Sequence, residues 1–315
     1  MAVDADSILW AYRLFLDREP DNQNYPDMAQ NFVDRKALRN WIMTSTEYLL
    51  VNGDARKFQD VEVLAQLEPY GVSGRMFVNL SDSIGLGVAL GTYEREEIDF
   101  MKTHLRPGQT FVDLGGNIGL FSIVASSLVG PTGKVYTFEA LSNNVATLKR
   151  SMAENAFCDN VVLTHSIVGD RARDDMVIAY QPLDEGSGNS GGSFIAPADA
   201  SLPHYLRREP IHQDALDVLL GAETKVDFIK MDIEGAEVLA MRGAREILTH
   251  SSPIIMSEVH TRQLELVSQA NWREYFALMA SYGYRPHFIT GGPAGAPVDE
   301  IEDGKIYNVA FLKSR

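Results

Sequence analysis

The stretch TFVDLGGNIGLFSIVA, Thr110 to Ala125, constrains the fold more than any other part of the chain. An apolar strand runs into a glycine-rich turn, and the turn opens an apolar helix. That arrangement aims backbone N–H groups at a ligand beyond a strand end. The surrounding chain alternates in the same way. TFVDL leads to a helix with Leu120, Ile123, Val124 and Leu128 on one face, and KVYTFEA to one with Val145, Leu148 and Met152 aligned. NVVLTHSIV reads as the third strand. An excursion from Gly169 to Glu223 follows. KVDFIKMD then gives another strand, with a helix from Gly235 to Leu248 behind it. SPIIMSEV is a strand, NWREYFALMASYG a helix, and YRPHFIT and KIYNVAFLK are the last two strands. Strands alternating with helices predict an α/β fold, a doubly wound and largely parallel sheet covered on both faces.

Residues 1–60 follow another pattern. Ile8, Tyr12 and Phe15 form one apolar stripe, and Leu38, Trp41, Ile42, Tyr48 and Leu49 another, at helical spacing. A small all-helical module over 1–60 and a larger domain over 61–315 are expected. The acidic turn DREPDNQNYPD between the stripes lacks the alternating carboxylates and central glycine of a calcium loop.

The net charge of −15 argues against a broad nucleic-acid or anionic-membrane surface. The single cysteine, Cys158, excludes an intrachain disulfide. Its neighbours Phe157 and Val161 suit packing. No basic segment precedes an apolar run at the N-terminus, and no run of about 18 apolar residues occurs. A cytoplasmic protein without a membrane span is expected.

The glycine loop departs from the dinucleotide pattern G-x-G-x-x-G. Asp113 ends the strand, Gly115 and Gly116 follow, Asn117 stands where another glycine might, and Gly119 opens the helix. An acid at the strand end repels a pyrophosphate and suits a cation. S-adenosylmethionine, with its ammonium and sulfonium groups, matches this loop better than NAD. Glu139, 24 residues beyond Gly115 at the end of VYTFE, is placed to accept both ribose hydroxyls. The competing reading is that the glycines only allow tight strand-to-helix packing.

Three segments, YEREEIDFMKTHLRPGQTFVDLGGNIGLFS, GKVYTFEALSNNVATLKRSMAEN and VDFIKMDIEGAEVLAMRGAREIL, together resemble FkbM-type S-adenosylmethionine-dependent methyltransferases. The resemblance runs from about Gly71 to Phe288, and KMDIEGAE is its most specific element. It implies a seven-stranded class I methyltransferase sheet and methylation of hydroxyl oxygens, mostly of polyketides or sugars. By this resemblance Asp113, Gly115, Asn117 and Gly119 line the methionine end of the cofactor, Glu139 holds the ribose, and Ser166 and Ile167 lie beside the adenine. Tyr93 and Glu94 close over the cofactor. Gly116 and Ala140 belong to the same site, although the family often has alanine and proline there. The first sixty residues resemble a helical module seen on bacterial proteins, some of which handle surface glycans.

Methyl transfer to an alcohol needs in-line alignment and removal of a proton. Asp232, Glu234, Glu258 and His260 are the candidate acid–base residues, and Asp232 also reaches the cofactor. His260 has the ordinary pKa best suited to a base near neutral pH. Two other readings stand beside this one. Lys230 and Glu237 fit a buried ion-pair and helix-start role, and Asp232, Glu258 and His260 fit a divalent ion, although no metal is expected. The loop GSGNSGGSF is either a flexible linker or a lid in which Asn189 and Ser190 meet the acceptor. A sugar or glycan hydroxyl is the expected acceptor, with a polyketide as the alternative. An NAD-dependent oxidoreductase and a non-catalytic cofactor-binding protein are the further alternatives. A homodimer through the N-terminal helices is expected as a partner arrangement.

Overall fold

The computed structural model describes residues 3–16, 18–20, 25–43, 61–181 and 192–313. Its contacts divide into two compact units, Met1–Val61 with Asn79–Ser83, and Glu62–Val78 with Ile84–Arg315. In the smaller unit, helices Ala5–Leu16 and Arg35–Met43 are joined through a 3-10 turn at Tyr25–Asn31. Asp4 and Asp34 accept from the backbone N–H groups of Ser7 and Ala37, each at 2.8 Å, so each helix start has its own carboxylate. Ile8, Ala11, Tyr12, Leu16, Leu38 and Ile42 form the unit's core. Tyr48 and Leu49, expected on the second stripe, lie outside the described residues.

The larger unit opens with a ribbon of β1 (Glu62–Gln66) and β2 (Arg75–Asn79). Its centre is a seven-stranded sheet. In chain order the strands are β3 (Thr110–Leu114), β4 (Lys134–Glu139), β5 (Val161–His165), β10 (Phe228–Met231), β11 (Ile254–His260), β12 (Tyr284–Phe288) and β13 (Ile306–Lys313). Their spatial order is β12-β13-β11-β10-β3-β4-β5. From β11 to β5 all neighbours are parallel, while β13 runs antiparallel to both β11 and β12. This is the class I methyltransferase sheet.

All of β10 is buried, and β3 is buried from Phe111 onward, which is why both are apolar apart from one charged residue each, Lys230 and Asp113. Phe111 stacks on Phe228 at 5.6 Å between ring centres, and Phe100 meets Phe228 edge-on at 6.2 Å. The chain leaves β3 towards β4 and β5, then returns to build β10 and β11 on the other side. The crevice between the C-terminal ends of β3 and β10 is therefore the switch point at which such sheets bind ligands.

The structure differs from the sequence reading in three places. NVVLTHSIV is two strands, β5 and β6 (Ile167–Gly169), broken at Ser166, whose hydroxyl donates to the carbonyls of Ile167 and His212. The excursion, to which the sequence reading assigns no elements, supplies most of a second sheet. It holds β6 with β7 (Arg173–Tyr180), β8 (Phe194–Pro197) and β9 (Arg207–Ala215), in the order β6-β9-β7-β8. The helix expected from Gly235 to Leu248 is two short helices, Glu237–Arg242 and Arg245–His250. Gly243 lies between them because the backbone passes against β6 there: a Cβ on it would stand 2.0 Å from the Gly169 carbonyl oxygen. Residues 182–191, which hold most of the expected lid with Asn189 and Ser190, lie outside the described residues.

Candidate active site

The turn after β3 is shaped by close approach. Gly115 has φ 81°, and a Cβ there would fall 2.0 Å from the backbone oxygen of Asp232. Asn117 follows in the left-handed region at φ 47°. Gly116 and Gly119 have a packing role. A Cβ on Gly116 would meet Thr137 Cγ2 at 2.4 Å, and one on Gly119 would meet Leu148 Cδ1 at 2.1 Å. For these two glycines the packing reading describes what the structure contains.

Glu139 is buried at the end of β4. Its Oε2 accepts from the Asn117 N–H and its Oε1 from the Leu141 N–H, each at 2.7 Å, so two backbone donors fix the carboxylate against the loop. Burial raises its pKa, and these two hydrogen bonds oppose the rise. Asp113 has no exposed surface. Its Oδ2 accepts from Ser122 Oγ at 2.6 Å, while Oδ1 has no hydrogen-bond partner and faces Lys230 Nζ at 4.0 Å. Burial raises the Asp113 pKa, against the opposing charge of Lys230. Asp113 therefore sits behind the loop, with Lys230 before it, and does not line the pocket that the sequence places it in.

A pocket of about 630 Å³, its open mouth included, lies over these strand ends. Gly115, Asn117, Glu139, Asp232 and Glu234 supply its polar wall. Ala140, Ser166 and Ile167, all expected beside the cofactor, line it as well. The sequence reading missed Ile178 and Ile195, which the second sheet contributes from β7 and β8. Their only signal was β-branched patterning in RDDMVIAY and SFIAP. Charged at one end and apolar at the other, the pocket matches a nucleoside carrying a zwitterionic amino-acid tail.

A smaller cavity of about 220 Å³ adjoins at Asp232 and is lined by Glu94, Lys230, Met256, Glu258 and Asn308 among others. Oxygens of Asp232, Glu234 and Glu258 lie within 4.8 Å of one another. β10 ends at Met231, so Asp232 and Glu234 stand on the turn beyond the strand and not on one strand face as period-two spacing implies. Glu234 has φ 51°, and Glu94, before helix Arg95–His104, has φ 46°. Non-glycine residues held in this region carry strain, which gathers at functional sites.

Burial, and then Asp232 and Glu237, push the Glu234 carboxyl up to about 8. Burial with Asp232 and Glu234 raises Glu258, and burial raises Glu94 against the opposing charge of Lys230. Tyr93, next to Glu94, is raised by burial and then by Glu94 and Asp232. Glu94 therefore belongs to the smaller cavity, and Tyr93 is within electrostatic reach of its carboxylates.

His260 stands apart from this group. Its Nδ1 accepts from the Gln263 N–H at 3.4 Å and caps helix Thr261–Val267. In the group of carboxylates, Glu234 occupies the place that the sequence reading of a metal site gave to His260. Glu237 is buried, and its Oε1 accepts from the backbone N–H groups of Ile233 and Gly235 at 3.2 Å. This is the helix-start role expected of it.

A largely parallel sheet with a switch-point pocket that joins an acid-rich end to an apolar end has the architecture of the class I methyltransferase fold. The chain belongs to the FkbM methyltransferase domain family, whose model matches residues 113–286, more than half of its length. Among solved structures it is similar to the methyltransferase FkbM from Methylobacillus flagellatus KT, at 15% identity and a TM-score of 0.42. That match covers 92% of this chain and 59% of the other, so the chain spans well under two thirds of that protein. It is also similar to an S-adenosylmethionine-dependent O-methyltransferase from Thermotoga maritima, at 12% identity and a TM-score of 0.36, covering 70% of this chain and 65% of that one. A third is Aeropyrum pernix fibrillarin with bound S-adenosylmethionine, at 10% identity and a TM-score of 0.37, covering 66% and 67%. No curated protein matches the chain.

The cofactor is S-adenosylmethionine, and the residues fit it. Asn117 Oδ1 is buried without a hydrogen-bond partner beside the acid-rich end, and the Gly115 turn has no room for a side chain. Among the described residues no helix is long and apolar enough to cross a membrane.

Proposed function

We propose that this chain transfers the methyl group of S-adenosylmethionine to a hydroxyl oxygen of a sugar or glycan. One observation supports this reading above the others: a cluster of carboxylates at the mouth of a second cavity, directly next to the methionine end of the cofactor pocket. Glu139 accepts from the ribose hydroxyls, and its two backbone donors keep it in place for that. Ser166, Ile167, Ile178 and Ile195 enclose the adenine end. The Asn117 amide oxygen and the Asp232 carboxylate face the cationic tail, and Asp113 orders the loop from behind. The cofactor supplies an electrophilic methyl carbon on a sulfonium. The chain's task is to align the acceptor oxygen behind that carbon, exclude water and take the hydroxyl proton as the carbon–oxygen bond forms.

That proton is assigned to the cluster of Asp232, Glu234 and Glu258, where whichever carboxylate is ionised accepts it. His260 lines neither cavity. With Nδ1 engaged as a cap, Nε2 is its nitrogen for acid–base work. The sugar acceptor rests on the resemblance of the helical module to those on glycan-handling proteins. That unit also exposes Trp10 and Leu14 for self-association, which light scattering with and without residues 1–60 tests. A reducing, cytoplasmic setting agrees with the lone buried Cys158, whose thiol burial pushes up to about 11.

The function is tested by incubating the protein with labelled S-adenosylmethionine and a panel of sugars, polyketide alcohols and amines. Label in an ether of a sugar, lost in Glu258→Gln, is expected. Label confined to amines or to polyketides would overturn the acceptor assignment.

A further inference from the structure

Lys230 has no task in the reaction as described so far, yet it occupies the centre of the site. It lies on β10 in register with Asp113 of β3 on one side and Met256 of β11 on the other. The side chain is 8% exposed, and Nζ donates to the Gly115 carbonyl oxygen at 3.2 Å. Nζ stands 4.0 Å from Asp113 Oδ1 and 3.7 Å from Asp232 Oδ2, and 5.0 Å from the centre of the Phe121 ring. One ammonium group thus touches the cofactor loop, the strand-end acid behind it and the acid that borders both cavities.

Carboxylates face this ammonium from every side. Asp113 and Asp232 are nearest. Glu94 and Glu97 face it from the segment leading into and through helix Arg95–His104, Glu139 from β4, Glu234 from the turn after β10 and Glu258 from β11. Asn308 of β13 lines the cavity floor beside it and donates to Glu97 at 2.5 Å. A buried ion pair seldom justifies itself by stability alone, because desolvation offsets much of the attraction. Removing only the cation would leave several carboxylates close together in a place with little water. They would then take up protons.

We propose that Lys230 is a positioning residue of the methyl-donor site, holding the Gly115 carbonyl in place and keeping Asp232 and its neighbours ionised for a cationic donor. The assignment rests on the cofactor pocket described above. It makes donor binding proton-linked. A cation binds the ionised cluster better than the protonated one, so affinity rises with pH as the cluster loses its protons. Burial works to lower the Lys230 pKa, but Asp232, Asp113, Glu94 and Glu258 outweigh it and hold the ammonium charged.

The test is calorimetric titration with S-adenosylmethionine between pH 6 and 9, for the wild-type chain, Lys230→Met and Glu258→Gln. The ligand's own ammonium titrates identically in all three, so displacement between proteins is the readout. Removing the cation raises the cluster's pKa values. In Lys230→Met the affinity rise should therefore move up by a pH unit or more, with binding at pH 7 at least tenfold weaker. Removing one acid has the opposite sign, and in Glu258→Gln the rise should move down. Should Lys230→Met not fold, the downward shift of Glu258→Gln carries the test. Profiles that coincide in pH, with Lys230→Met merely weaker throughout, would overturn the assignment and leave Lys230 a structural ion pair. A wild-type chain that binds no S-adenosylmethionine would remove the donor reading and this assignment with it.

Discussion

The donor pocket and the smaller cavity share Asp232 but are built on different principles. The donor pocket rests on strand ends and on one local turn, where Gly115, Asn117 and Glu139 fall within a short span of chain. The smaller cavity gathers Glu94, Lys230, Glu258 and Asn308 from four elements far apart in sequence. In the donor pocket, carboxylates are tied down by backbone donors, as Glu139 is by Asn117 and Leu141. In the smaller cavity, Glu94 and Glu258 crowd around one lysine, and the backbone at Glu94, as at neighbouring Glu234, is strained. The loop end of the donor pocket is locally encoded, while its apolar end is drawn from the second sheet. A surface that must move a proton keeps its acids close to titration.

Breaking the donor side should produce the largest effect. Gly115→Ala combines a positive φ with a Cβ driven into the Asp232 backbone oxygen. Cofactor affinity should fall by roughly 30- to 150-fold, as expected when strain of about 2–3 kcal/mol is placed on one turn. Titration with S-adenosylhomocysteine reads it.

Glu139→Ala comes next. It removes the ribose acceptor and leaves two N–H groups without their partner, a loss of about 1–3 kcal/mol, or roughly 5- to 150-fold in affinity. Acceptor KM should be nearly unchanged. An equal rise in both constants would show that the two cavities are not separable.

Ile178→Ala tests the second sheet's share of the donor pocket. Truncating a wall residue should cost about 1–2 kcal/mol of cofactor binding, or roughly 5- to 30-fold. Full affinity in Ile178→Ala and Ile195→Ala would place the adenine elsewhere.

A further effect is expected on stability, and it belongs to the acid side. Glu234 is raised from its ordinary 4.5 to about 8 in the folded chain. Its contribution is fully present below about pH 4.5 and is lost as pH rises towards 8, because deprotonation then favours the unfolded state. The melting temperature of the ligand-free protein should fall across that window, and Glu234→Gln should flatten the fall. A melting temperature that rises from pH 5 to 8, equally in both proteins, would count against a proton held at Glu234.

The sequence revealed most of the donor side, because strand, turn and helix there are consecutive and the acid at each strand end can be counted from the glycines. The main sheet was readable for a related reason, since its buried parallel strands, such as FIKM with the single charge of Lys230, are apolar at nearly every position. The second sheet was not. Its strands are uneven, from three residues in β6 to nine in β9, and mostly antiparallel, and Ser166 ends β5 through hydrogen bonds to partners, one of them 46 residues away. The break at Gly243 was hidden for a related reason: the contact that demands glycine comes from Gly169, far back in the chain. Asp113 was placed correctly at the strand end, but its burial behind Lys230 depends on the register of β3 against β10. His260 and Glu258 share a strand, yet a cap on the next helix draws His260 into a separate role.

The central claim is that the crevice between β3 and β10 takes the methyl donor. Calorimetric titration of the wild-type chain with S-adenosylhomocysteine, and with NAD in parallel, tests it most directly. Binding of S-adenosylhomocysteine in the micromolar range, silence with NAD and loss of the signal in Glu139→Ala are expected. Binding of NAD alone, or a signal that Glu139→Ala leaves intact, would contradict the account.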